Sequence, residues 1–107
     1  MEGLELICFE MIAYHGCARS HFIEAIRAAK QGDFAAAEAK MAEGEKDFQI
    51  GHRAHAQLIQ KEAGGEELKV SLLLLHAADL MMSAETLKIM AQELIDLYKA
   101  KGVGPQD

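Results

Sequence analysis

From residue 70 onward the chain carries a seam: Val70, Leu73, Ala77, Leu80, Ala84, Leu87, Ala91, Leu94 and Tyr98, spaced alternately three and four residues apart. That repeat is a heptad pattern, which holds one face of a helix against a partner helix along its length. Small residues and leucines alternate along most of it. A second apolar set, Leu72, Leu74, Leu75, Met81, Met82 and Ile89, lies off the seam. Between Val70 and Met82 the helix is therefore apolar nearly all round, and a helix of that character is buried on several sides. Two further helices of one chain cover only part of such a surface, so the pattern predicts self-association through this segment.

The rest of the chain supplies those two helices. The first is expected from about Leu4 to Ala29, closed by Lys30-Gln31-Gly32, a basic last turn followed by glycine. Asp33 is the expected N-cap of the second, which runs to about Ala63 and breaks at Gly64-Gly65. Glu66-Glu67 places negative charge where the third helix is expected to begin, favourable for its dipole, and Gly102 stops it after Lys101. Ala, Leu, Glu, Lys and Met dominate, and the only proline, Pro105, is near the C-terminus. That mix favours long helices over strands. Short loops between long helices predict an all-α, antiparallel up-down-up bundle of three helices, each roughly 40 to 50 Å long. Residues 1–101 form one domain, and 102–107 are expected to be a disordered tail. Gly16, Gly44 and Gly51 fall inside helices, at about 1 kcal/mol each against alanine. Gly16 marks a kink or close helix contact, and the seven-residue spacing of Gly44 and Gly51 suits tight packing; tolerance is the bland alternative for all three.

A net charge of −6 with no basic stripe excludes nucleic acid as a partner. Cys8 and Cys17 have no zinc or redox spacing. Nine residues of helix rise about 13 Å, too far for a disulfide, so two small buried thiols in a reducing compartment are expected. The N-terminus lacks a basic signal-peptide segment, and the longest apolar run, Leu72 to Leu75, cannot span a bilayer. A cytoplasmic location follows as an expectation.

Within the apolar belt of the third helix, Ser71, His76 and Asp79 are polar. His76 and Asp79, three apart, lie on adjoining faces. Polar groups in such surroundings need partners or an open cleft. Either the two satisfy each other as a structural pair, or the imidazole faces something it acts on. Among the other histidines, His52 and His55 have the spacing of a chance metal pair, while His15 and His21 follow no catalytic spacing. No Glu-x-x-His occurs, which argues against a di-iron bundle. A solvated or packing role is expected for all four, and a solvated helix face for Glu43 to Asp47.

The segment Leu72-Leu-Leu-Leu-His76-Ala-Ala-Asp79-Leu-Met-Met resembles the phosphorylation-site segment of the lactose/cellobiose IIA family of sugar phosphotransferase systems, whose pattern is an aliphatic run followed by His-Ala-Gln-Asp-His-Leu-Met. The resemblance extends over about 90 residues. It includes His15-Gly-Cys-Ala-Arg-Ser20 on the first helix, Ala25, Gly32-Asp33-Phe34 and Ala37 around the first turn, Ala54-His55-Ala56-Gln57 with Leu58-Ile59-Gln60 on the second helix, and Glu62-Ala63-Gly64 at the second turn. It implies a phosphotransferase subunit that assembles as a homotrimer. His76 would accept the phosphoryl group, its tele nitrogen being a candidate, from the phosphohistidine carrier protein. A IIB component would receive it, and the membrane permease would be involved only indirectly, for uptake of a lactose-, cellobiose- or chitobiose-type sugar. Asp79 matches the family aspartate near the trimer axis, where three copies can bind Mg2+ or another divalent cation. Two departures stand out. Ala78 replaces a frequent glutamine, removing a hydrogen-bond partner near the site, and Leu80 replaces a frequent second histidine, lowering polarity around the metal position.

The chemistry suits the residues. A relay needs a nucleophile that is neutral near pH 7 and yields a high-energy product, and the ordinary imidazole pKa of about 6.5 meets the first need. Transfer between two histidines is nearly balanced in energy, so positioning carries the work. Leu72, Leu75 and Met82 could form a rim that excludes water. Three carboxylates on an axis repel unless protonated or neutralised, and oxygen-only ligands suit a hard cation. The alternative is a non-catalytic helical oligomerisation module in which His76 and Asp79 are structural. A third reading is a metal-binding bundle using His52 and His55.

Overall fold

The computed structural model describes residues 3–102, which form α1 (Gly3–Lys30), α2 (Phe34–Ala63) and α3 (Leu72–Lys101). The connections are short, so the helices alternate in direction in a rod of 59 × 22 × 20 Å. Helix α1 packs on both others, whereas α2 and α3 meet more sparingly.

Each helix starts and stops for a local reason. Asp33 caps α2, its Oδ1 accepting from the Ala36 amide at 3.1 Å. Gly32, at φ +77°, makes the turn before it, where a side chain would be strained. Gly102, at φ +67°, caps α3. The start of α3 differs from expectation. It begins at Leu72, and Glu66–Val70 are not helical. Ser71 is the cap: its backbone is extended, and its Oγ accepts from the Leu74 amide at 3.1 Å. Glu66 and Glu67 offer charge, but a helix start also needs a short side-chain oxygen beside the first free amides. Glu66 instead turns back toward Lys61, at 3.6 Å. Val70, first residue of the seam, is consequently left outside the helix and exposed. The tail expected over 102–107 lies, beyond Gly102, outside the described residues.

The seam is otherwise where the sequence puts it. Ala77, Ala84 and Ala91 are fully buried against α1, joined by Ile95. Ile7, Cys8, Met11, Ala54, Leu58 and Ala77 pack one end of the bundle. Phe22, Phe48, Ala18, Ala84 and Ala91 fill the middle, and Ala25, Ala29, Ala37 and Ile95 the far end. Two α2 glycines admit the large residues of α1. A Cβ on Gly44 would lie 2.5 Å from the Phe22 ring, and one on Gly51 would lie 2.5 Å from His15 Nε2. Gly16 follows the other reading, tolerance: α1 is continuous through it, and a Cβ there would meet nothing within 4 Å.

Two other expectations change. Cys8 is buried, but Cys17 is exposed. At about 100° per residue, nine positions place the two thiols on opposite sides of α1. Segment 43–47 is not merely solvated: Glu43 and Asp47 both bind His21, at 3.1 and 2.9 Å, and Glu45 pairs with Lys88 of α3.

Candidate functional site

His76 sits in the second turn of α3, five residues after the Ser71 cap. The backbone beneath it is fixed from the inside. Ala77 is fully buried, and Leu73, Leu74 and Met81 pack on the Ile7–Met11–Leu58 cluster. Those four residues occupy the inward face, so helical geometry turns His76 outward. The imidazole is exposed, in contrast to what a core histidine would show. With Leu72 and Leu73 it lines an open hollow of about 420 Å³. Among the described residues the imidazole is the polar side chain of that lining.

Asp79 is also exposed, and no hydrogen bond or ion pair joins it to His76 among the described residues. The two do not satisfy each other within one chain. Around them the surface is apolar: Leu72 is 82% exposed, Leu75 57%, Met82 65% and Ile89 58%. This is the off-seam set of the sequence, with Leu74 and Met81 drawn inward instead. Side chains of that size on one stripe mark a surface built to be covered.

The remaining histidines separate by role. His21 bridges Glu43 and Asp47 through its two ring nitrogens. His52 stacks on Phe48, with ring centroids 6.3 Å apart. His55 is half-buried, and burial, with His52 nearby, lowers its pKa. His15 is fully buried, edge-on to Phe48 at 5.2 Å, and neither ring nitrogen has a hydrogen-bond partner. Burial chiefly lowers its pKa. Its position was legible: Ile7, Met11, His15, Ala18, Phe22, Ala25 and Ala29 form the same three-four pattern as the α3 seam. Among the described residues no group of three or more His, Cys, Asp or Glu side chains converges on a metal position. His52 and His55 thus gain no third ligand among the described residues, and Asp79 supplies a single carboxylate.

What this arrangement offers chemically is one accessible imidazole on an exposed apolar helix face. It holds no set of hydroxyl-binding groups such as a sugar pocket needs. Among the described residues no helix is long and apolar enough to cross a membrane.

Comparison with known proteins agrees with this geometry. The family described as PTS system, Lactose/Cellobiose specific IIA subunit, matches residues 6–99. An oligo-beta-mannoside-specific EIIA component of Bacillus subtilis is 43% identical over 99 residues, covering 92% of this chain and 90% of the relative. The crystal structure of a cellobiose-specific enzyme IIA from Bacillus anthracis superimposes with a TM-score of 0.92 at 42% identity, covering 95% of this chain and 94% of the other. A IIA(Chitobiose) component, solved in complex with HPr, superimposes with a TM-score of 0.83 at 35% identity, covering 96% and 100%.

Proposed function

This chain belongs to the lactose/cellobiose-specific IIA family of the sugar phosphotransferase system, and from that membership we propose that it relays a phosphoryl group through His76. IIA components are phosphotransferases, so the question is which residue carries the group and between which partners.

The observation that carries the assignment is exposure. Of the chain's five histidines, His76 is the one that combines an open imidazole with a surrounding apolar docking surface. His15 is sealed, His21 is held between carboxylates and His52 lies against Phe48. The donor is an HPr-type phosphohistidine carrier, supported by the relative solved with HPr. A ring nitrogen of neutral His76 attacks phosphorus. The P–N bond of the carrier's phosphohistidine breaks, and its electron pair returns to the carrier's ring. The same exchange, with His76 now the leaving group, passes the phosphoryl group to a IIB component. Leu72, Leu75 and Met82 exclude water while either partner is docked, which protects the phosphohistidine from hydrolysis. The sugar is of the β-glucoside or galactoside disaccharide class and meets the phosphate elsewhere, because the hollow at His76 lacks groups to hold it.

The assembly is a homotrimer through α3. The exposed Leu75, Met82 and Ile89 are seven residues apart, the repeat of a helix seam left unpaired in one chain. Asp79 interrupts that stripe. A lone carboxylate cannot hold a hard cation, but three related by a rotation axis supply the oxygen donors that Mg2+ prefers. Such an ion would neutralise the carboxylates and lock the assembly; it takes no part in the transfer.

The test is incubation with labelled phosphoenolpyruvate and the general phosphotransfer proteins. Label is expected on the wild type and absent from His76→Ala. Label that persists in His76→Ala refutes the assignment. The competing reading, a non-catalytic oligomerisation module, predicts no label on either.

A further inference from the structure

His15 has no part in the proposed relay, yet it occupies a tightly packed position of the α1–α2 interface. Its ring is fully buried and fills the space that a Cβ on Gly51 would need, at 2.5, 2.6 and 2.8 Å from three ring atoms. Phe48 closes one side, edge to face. Buried polar atoms are normally paired, but Nδ1 and Nε2 both lack partners. The Met11 carbonyl, one turn back, favours the protonated ring without meeting hydrogen-bond geometry. The titratable groups acting on the ring are His52 and His55, both from α2; Arg19, one turn on along α1 with its Nε buried, and Lys88 of α3, over the Phe48 ring at 5.3 Å, are fixed cations on the other two helices. Both histidines become cations in acid and oppose a further positive charge on His15.

We propose that His15, seated on Gly51 between α1 and α2, is an acid-sensitive latch: neutral, it seals the helix pair, and protonated, it is expelled and the interface loosens. The sign follows from linkage. Burial outweighs the pull of the Met11 carbonyl, so the ring takes up a proton less readily than in the unfolded chain. Its stabilising effect is complete above the ordinary imidazole value and is lost as pH falls below it. One proton gives a limiting loss of about tenfold in the folding constant per pH unit. The α1–α2 pair is the platform for α3, so loosening it also releases the backbone that presents His76.

The test compares the full chain with His15→Ala/Gly51→Ala, at one fixed protein concentration, by urea unfolding between pH 7.5 and 5.0. In the double variant the Gly51 methyl occupies part of the space vacated by the ring, so a folded bundle is retained without the titration. His21, His52 and His55 are present in both proteins and cancel. The wild type is expected to lose stability toward acid by a margin, approaching the one-proton slope, that the variant lacks. Parallel pH profiles overturn the proposal. Should the variant not fold, the imidazole resonances of the wild type decide. A His15 ring that stays neutral well below the ordinary imidazole midpoint supports the latch, and one that titrates at or above that midpoint overturns it.

Discussion

The same substitution should have opposite signs at two helical glycines. Gly16→Ala places a methyl where nothing lies within 4 Å, so it gains only helix propensity, up to about 1 kcal/mol. Gly44→Ala gains the same propensity but drives its methyl into Phe22, at 2.5, 2.7 and 3.1 Å from Cε1, Cδ1 and Cζ. Phe22 has nowhere to retreat: it is fully buried and packed with Ala18, Phe48, Ala84 and Ala91. Overpacking of this kind costs about 1–3 kcal/mol, and the crowding of three ring atoms argues for the upper half. Set against the propensity gain, Gly44→Ala should destabilise by about 1–2 kcal/mol. Urea unfolding at fixed protein concentration measures both variants, since the proposed self-association would make apparent stability depend on concentration. In a domain of this size 1 kcal/mol corresponds to a Tm shift of about 4–8 °C. Introducing Phe22→Leu removes the ring, and Gly44→Ala should then lose most of its penalty, a coupling of about 1 kcal/mol or more. If Gly44→Ala stabilises the protein as much as Gly16→Ala, the packing of α1 on α2 described above is wrong.

Other consequences can be checked separately. Ser71→Ala should cost about 1 kcal/mol and raise amide exchange over the first turn of α3, beside His76, because the Leu74 amide loses its acceptor; unchanged exchange there would argue against the cap. Met82→Lys places a charge on the stripe proposed to join the subunits and should lower the mass measured by light scattering; an unaltered assembly would place the interface elsewhere. Asp79→Leu should abolish stoichiometric bound Mg2+ while leaving the helical content intact, and retained metal would exclude a shared aspartate site. With a thiol reagent Cys17 should react well before Cys8, whose thiol is buried and whose pKa is raised by that burial and by Glu5; equal rates would contradict the orientation of α1.

What the sequence made legible, and what it did not, follows from how far each signal reaches. The α3 seam from Leu73 onward, the Asp33 cap and the glycine breaks are signals within one element, and these are found in place. The start of α3 was misplaced by about six residues because acidic residues and an N-cap serine both mark helix starts, and only the serine oxygen reaches the free amides. Cysteine as a residue type is usually buried, which points Cys17 inward, but helical phase sets it opposite the buried Cys8. Glu43 to Asp47 looked like a solvated run because its partners, His21 and Lys88, are on other helices. His15 and Gly51 illustrate the same limit more sharply. Each position has a periodicity that can be read alone, but their mutual contact depends on the register of α1 against α2, which no single-helix pattern contains. His76 itself was marked by its belt of apolar neighbours, yet whether the ring faced in or out depended on which of those neighbours α1 and α2 would cover.

The central claim is that one exposed imidazole carries the phosphoryl group, and site mapping addresses it most directly. After reaction with a phosphorylated HPr-type carrier, the protein is digested and the peptides are analysed by mass spectrometry without acid exposure. Phosphate is predicted on the peptide containing His76, in an amount approaching one per chain, and on none containing His15, His21, His52 or His55. Phosphate found on one of those four, with His76 unmodified, would contradict the account.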